Sequence, residues 1–224
     1  MFRYFLTCLL AVSLSTTCLA QKSLYDSSQE WTVKIDDGWF TARTISFGAY
    51  TTTSRKNGAD RNIDLSFVKS PLHPFNFRLT GKEQDILIQV IQAAHIAFSG
   101  LSLPSFMDKM PPTALFTYVA INIGKNEPLK QWQLILKDQT FLELNENKPA
   151  GILRSADTEI RITAHNRFGT KNSYENICYE FHLRKKVVAA VVTGVHPRVW
   201  MSADMEENPF QPVLAAAISA LLVR

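Results

Sequence analysis

The sequence predicts an all-β fold, roughly twelve antiparallel strands closed into a barrel around a hydrophobic C-terminal helix. Three observations carry this. Short segments of alternating or β-branched residues follow one another along most of the chain. They are joined by brief polar turns, without convincing helices between them. The chain then ends in Pro212–Arg224, an Ala- and Leu-rich run that is apolar on every side except at Ser219. Such a run forms a helix, and a helix without a polar face must be surrounded by other elements. At about 18 Å it is too short to cross a bilayer. A β-sandwich with the helix packed on one face is the alternative architecture.

The N-terminus reads as a targeting segment. Arg3 supplies positive charge, Phe5 to Leu14 is apolar, and Cys18-Leu19-Ala20 ends in a small residue. Residues 1–20 are expected to leave as a signal peptide, making the protein exported, periplasmic or extracellular. Lipidation of Cys18 is the alternative, although Ser15 replaces the usual Leu. Residues 21–224 then form a single domain of about 204 residues. Cys178 is its lone cysteine, so a core rather than a disulfide must supply stability. Loss of Arg3 takes the formal charge from +4 to +3, and no dense Lys/Arg block stands out. Neither charge nor export points to nucleic acid.

In order, Gln29–Ile35 places Trp31, Val33 and Ile35 on one strand face. Asp36-Asp37-Gly38 is a hairpin turn, and a second strand runs from Trp39 to Phe47. Gly48–Asp60 reads as a loop and Arg61–Lys69 as a strand. Phe75, Phe77 and Leu79 share the next face. Thr80-Gly-Lys-Glu83 turns into a long bent strand, Asp85–Phe98. Gly100–Pro112 is a loop with three prolines. Thr113–Ile123 is a strand and Gly124–Asn126 a turn, followed by a strand over Leu129–Lys137. The stretch 138–148 is mostly polar. Two short strands follow at Gly151–Arg154 and Thr158–Ala164. Tyr174–Leu183 pairs with Val187–Val195 through Arg184-Lys185-Lys186, and Arg198–Met201 is the last short strand. Asp204, Glu206 and Glu207 precede the helix and Arg224 ends it, the favourable sense for its dipole.

The segments Tyr179-Glu180-Phe181, Arg184–Val191, Arg198-Val199-Trp200 and Leu214–Leu222 resemble the tubby-like fold. That fold is shared by tubby domains, LURP-one-related proteins and phospholipid scramblases. The resemblance covers roughly the last fifty residues and implies a twelve-stranded barrel around a central helix. The chain also resembles a group of secreted bacterial proteins with no assigned function. The cysteine cluster and terminal membrane segment of scramblases are missing, which argues against lipid scrambling.

Chemistry-bearing motifs are few. There is no Gly-x-Ser-x-Gly, His-Glu-x-x-His, Walker loop or Cys-x-x-Cys. No cofactor is expected. Cys178, Glu180 and His182 alternate on one strand face and are the candidate metal ligands, with His95 or His165 as partners from other strands. Cys178 and His182 stand roughly 13 Å apart along a strand, too far for a catalytic dyad. Without other ligands this is the polar outer face of a strand. Arg43, Arg55, Lys56 and Arg61, with Tyr50, are the candidate binding patch for a phosphate or lipid headgroup. The expected function is a non-enzymatic envelope protein that binds a lipid headgroup or protein partner at its loops. The alternative is a secreted hydrolase of glycans or esters, with two carboxylates brought together by the fold. The C-terminal run also resembles a GPI-attachment signal after Ser202-Ala203-Asp204.

Overall fold

A computed structural model describes residues 24–37, 43–60, 68–69, 71–96, 104–107, 114–124 and 130–224. The expected signal peptide with Cys18, the turn at Gly38, Arg61 and most of its strand lie outside the described residues.

Among the described residues there are sixteen strands: β1 (Glu30–Trp31), β2 (Val33–Asp36), β3 (Thr44–Phe47), β4 (Tyr50–Thr52), β5 (Lys56–Asn57), β6 (Val68–Lys69), β7 (Leu72–Gly81), β8 (Gln84–Ala93), β9 (His95–Ile96), β10 (Phe116–Ile123), β11 (Lys130–Lys137), β12 (Pro149–Arg154), β13 (Glu159–His165), β14 (Cys178–Leu183), β15 (Lys186–Val192) and β16 (Arg198–Met201). All pairings are antiparallel, in the order β1-β16-β15-β14-β13-β12-β11-β10-β8-β7-β4-β3-β2. β1 and β2 are two parts of one extended stretch, interrupted at Thr32. Its first part pairs with β16 and its second with β3, so the path returns on itself. Counting that stretch once, the nearly closed barrel has about twelve staves. β5 pairs with β7 and continues the line of β4. The stretch 48–60 is therefore a broken strand rather than a loop. β6 and β9 form a separate two-stranded sheet.

The C-terminal helix, Gln211–Val223, fills the barrel. Leu214, Ala215, Ala216, Ala217 and Ile218 are fully buried. They share one core with inward residues of opposite walls, such as Ile45, Phe77, Ile88, Ile121, Leu134, Ile162, Phe181 and Val199. Each fully buried Leu or Ile contributes about 1.5–3 kcal/mol. The alanines keep the helix thin enough for a lumen already lined with aromatic and branched side chains. Ser219, the polar interruption, is fully buried and donates to the Ala216 carbonyl at 2.7 Å, so it needs no partner on the wall. At the helix start, the Tyr50 hydroxyl donates to Gln211 Oε1 at 3.4 Å.

Two tight hairpins use unexpected residues. Lys82 and Glu83 join β7 to β8, and Arg184 and Lys185 join β14 to β15, all with positive φ. A two-residue turn needs that conformation to match strand twist, and Asn-Gly usually supplies it. Here charged side chains at solvated tips accept it instead. A short helix, Phe141–Asn145, interrupts the strands, although no helix was expected there. Its signature is local: Thr140 and Glu143 form a capping box.

The outside of the barrel is covered in two places. Leu87, Ile91, Phe116, Tyr118, Ala120, Ile135 and Ile152 lie under Val68, Phe106 and Met107. Double-sided burial explains why β8 and β10 read as nearly continuous apolar runs. The second cover is the N-terminal segment. Leu24 and Tyr25 pack with Phe168 over Cys178, Ala190, Val192 and Trp200 on the outer faces of β14 to β16.

Candidate functional site

The strand alternation places Cys178, Glu180 and His182 on the outer face of β14, opposite Tyr179 and Phe181 in the core. Antiparallel register sets Thr163 and His165 of β13 beside Glu180 and Cys178. The face is not solvated, because the N-terminal segment lays Tyr25 across it. Tyr25 donates to Glu180 Oε1 at 2.5 Å, and His165 Nε2 lies 3.3 Å from the same oxygen. Oε2 accepts from the Thr163 hydroxyl at 3.2 Å and the Asn147 amide at 3.3 Å, with His182 Nε2 at 3.5 Å. His165 Nδ1 accepts the Arg167 backbone N–H at 3.3 Å, so Nε2 carries the proton that faces Glu180.

Burial alone raises the Glu180 carboxyl. Hydrogen bonds from His165, His182 and Tyr25 outweigh it and hold the group well below the usual carboxylate range. Its acceptor sites are filled, so it is not available as a general base. Burial pushes the Cys178 thiol up to about 12, the opposite of what a nucleophile requires. Burial, the neighbouring Cys178 and the bond to Glu180 likewise raise the Tyr25 phenol. Among the described residues, no three His, Cys, Asp or Glu side chains converge as metal ligands. In this cluster the imidazoles are turned to the carboxylate. The arrangement fastens the N-terminal segment to the barrel wall.

The helix blocks the lumen, so open space lies at the ends of the barrel. At the end where the helix finishes, two pockets adjoin Arg224. The larger, about 470 Å³, is lined by Asp138, Gln139, Tyr174, Tyr179, Thr193 and Leu221 with Arg224. The smaller, about 170 Å³, is lined by Arg55, His73, Phe75, Val90, Gln92 and Thr117, again with Arg224. The strands deliver these residues because β7 and β10 begin here while β8, β11 and β15 end here. An Arg224 Nη2 bond to Asp138 Oδ1 at 3.3 Å spans the mouth. The guanidinium of Arg55 lies 3.9 Å from the Phe75 ring centroid. On the rim of the larger pocket, Phe141 packs against Tyr174 at 4.1 Å between centroids. Phe141, Tyr174 and Leu142 are all exposed, Leu142 by 73%.

The expected basic patch is divided by the structure. Tyr50 points into the core at the far end of the barrel, near Gln211. Arg55 lies at the mouth beside Arg224. Lys56 is exposed on β5, and exposed Arg43 pairs with Asp37 at 3.4 Å. Arg61 lies outside the described residues, as does the side chain of His95. Sequence reasoning did not select His73, Thr117 or Arg224 for this mouth. A signal was available only for Arg224, which had to emerge wherever the buried helix ended.

No protein-family model matches the chain, and no curated protein or solved structure matches it.

Proposed function

We propose that the chain is a non-enzymatic, exported envelope protein, a barrel scaffold that takes a small amphiphilic ligand such as an envelope lipid at the mouth around Arg224. The carrying observation is the pair of adjoining pockets at that mouth, beside the exposed pair Phe141 and Tyr174. A pocket of about 470 Å³ with both polar and apolar side chains on its wall suits a small amphiphilic ligand. Exposed apolar side chains at its edge suit the ligand's apolar part or the surface that delivers it. Export is supported by the Arg3, apolar 5–14 and Ala20 pattern. A barrel around a hydrophobic C-terminal helix is also the tubby-like arrangement, which supports the scaffold part of the reading.

A hydrolase of glycans needs two carboxylates facing one cleft. Among the described residues, Asp138 is the one carboxylate lining the two pockets at this mouth, and Arg224 holds it.

The test is native mass spectrometry of the full chain purified from its own host, followed by titration with lysophospholipid monomers. A co-purified amphiphile, and binding that Tyr174→Ser and Phe141→Ser weaken severalfold, is the expected result. A protein partner in place of the amphiphile, or lysophospholipid binding indifferent to both substitutions, overturns it.

A further inference from the structure

We infer that the smaller pocket is an oxyanion subsite: it takes a carboxylate or phosphate carried on a short apolar arm. This rests on the mouth-binding reading above and names which end of the ligand goes where.

The argument begins with Thr117. It is 2% exposed, stands on the wall of this pocket, and its hydroxyl has no hydrogen-bond partner among the described residues. A buried hydroxyl left without a partner costs free energy, and a native fold retains few of them without a use. A hydroxyl donates readily to an anionic oxygen.

The surrounding charge points the same way. Arg55 and Arg224 line the pocket together with His73, and none of its described lining side chains is acidic. Arg55 has no carboxylate partner among the described residues. Stacking on Phe75 holds its guanidinium in place, so less side-chain entropy is lost when the planar fork meets an oxyanion. Arg224 is bound to Asp138 through one nitrogen, Nη2, and also borders the pocket. Its charge opposes the partial negative charge of the helix end, which would otherwise repel an anion there.

Backbone geometry adds a separate observation. His73 has φ of 48° immediately before Pro74, at an irregularity between Leu72 and Phe75 where β7 pairs with β8. Residues before proline favour extended backbone, so this conformation is strained. Strain of this kind gathers at ligand sites. At about 170 Å³ the space suits an acid group and a few carbons. Phe75 and Val90 supply the apolar wall for those carbons.

The experiment titrates the full chain by NMR with three probes: hexanoate, inorganic phosphate and hexanol. Hexanoate is expected to bind at least about tenfold more tightly than hexanol, with shifts centred on Phe75 and Thr117. Arg55→Gln is expected to weaken hexanoate about tenfold and leave hexanol unchanged. Thr117→Val keeps the shape and removes the unpaired hydroxyl. It is expected to leave the thermal midpoint unchanged or higher while lowering hexanoate affinity, a combination that a structural role for Thr117 does not produce. Phosphate binding comparable to hexanoate assigns the site to the bare oxyanion. Hexanoate without phosphate binding assigns it to a carboxylate on its apolar arm. If hexanol and hexanoate bind alike and Arg55→Gln changes neither, the oxyanion assignment falls and the mouth-binding reading stands. If no probe binds and lysophospholipid fails as well, both fall.

Discussion

The hydroxyl of Tyr25 donates to Glu180 Oε1 across a sequence separation of 155 residues, fastening the start of the described chain to the wall of the barrel. The bond is partly buried, and the buried carboxylate it serves also accepts from Thr163 and Asn147 and faces His165. A hydrogen bond to a buried charge is worth about 1.5–3 kcal/mol, against about 1 kcal/mol for a neutral pair. Tyr25→Phe keeps the ring packing on Phe168 and Trp200 and removes this bond. The expected loss is therefore about 2 kcal/mol in urea unfolding. Limited proteolysis near residue 25 should become faster by a similar factor. An unchanged denaturation midpoint would show that the segment is held by its apolar contacts alone.

The same cluster sets an alkaline limit. Burial raises the Cys178 thiol from an ordinary 9.0 up to about 12, and the Tyr25 phenol also moves up from 10.0. Above these ordinary values the unfolded chain loses protons that the folded chain still holds. Stability therefore falls as pH rises, beginning near pH 9 and steepening above about pH 10. Glu180 behaves oppositely. Its carboxyl is held below the ordinary 4.5, so its contribution is complete above that value and is lost as pH falls towards the lowered one. Urea midpoints measured from about pH 5 to about pH 11 should stay level on the acid side and drop on the alkaline side. Cys178→Ala should remove the part of the drop that begins near pH 9.

Much of the barrel was legible because its periodicities are local. Trp132, Leu134 and Leu136 alternate in the sequence and share the core. The uniformly apolar tail required an enclosure, and about twelve staves supply one. The broken strand at β4 and β5 escaped notice because Thr52 to Lys56 is polar and pairs in short pieces with β7. The short helix was written in the Thr140/Glu143 box but is too brief to show a helical period. For the candidate sites, the face shared by Cys178, Glu180 and His182 followed from strand alternation. Its cover did not, since nothing in residues 24–29 says where they will lie. The mouth was hidden for a similar reason. Arg55, His73, Thr117 and Arg224 come from four distant stretches, brought together by strand pairing and by the end of the enclosed helix.

The fit of the helix in its barrel gives a test by size. Ala216 is fully enclosed by its neighbours and the wall. Ala216→Leu adds carbons where no space is left, and overpacking of this kind costs about 1–3 kcal/mol. Ile218→Ala makes the reverse error, leaving a cavity that costs about 2–5 kcal/mol. Both losses are expected in thermal or urea unfolding, with the cavity the larger. If Ala216→Leu proved neutral, the helix would have to lie against an open face rather than inside a filled lumen.

Gly151 allows β11 and β12 to approach closely. A Cβ placed there would meet the Ile135 carbonyl oxygen at 2.1 Å and Leu136 Cδ2 at 2.8 Å. The leucine can rotate, but the backbone oxygen moves only with its strand. Gly151→Ala is therefore expected to destabilise by about 1–3 kcal/mol and to broaden amide signals of β11 and β12. An unperturbed spectrum would contradict this close approach.

Closure of the barrel separates a visible contact from an energetic one. Arg198 pairs with Glu30 through two bonds, at 2.9 and 2.7 Å, and also lies over Trp200. The Arg198 bond lowers the Glu30 carboxyl, yet both side chains are partly in solvent. Pairs of this kind contribute about 0–1 kcal/mol and are screened by salt. Glu30→Gln is thus expected to shift stability by less than about 1 kcal/mol, and by less still in high salt. Removing residues 24–31 has a different consequence. It takes away the strand that pairs with β16 and the cover over Trp200, leaving an unpaired edge beside an apolar patch. Such an edge recruits other strands. The truncated chain is expected to self-associate in sedimentation measurements at concentrations where the full chain and Glu30→Gln show no change. A truncated chain that matched both in assembly state and stability would mean that the barrel closes without its first strand.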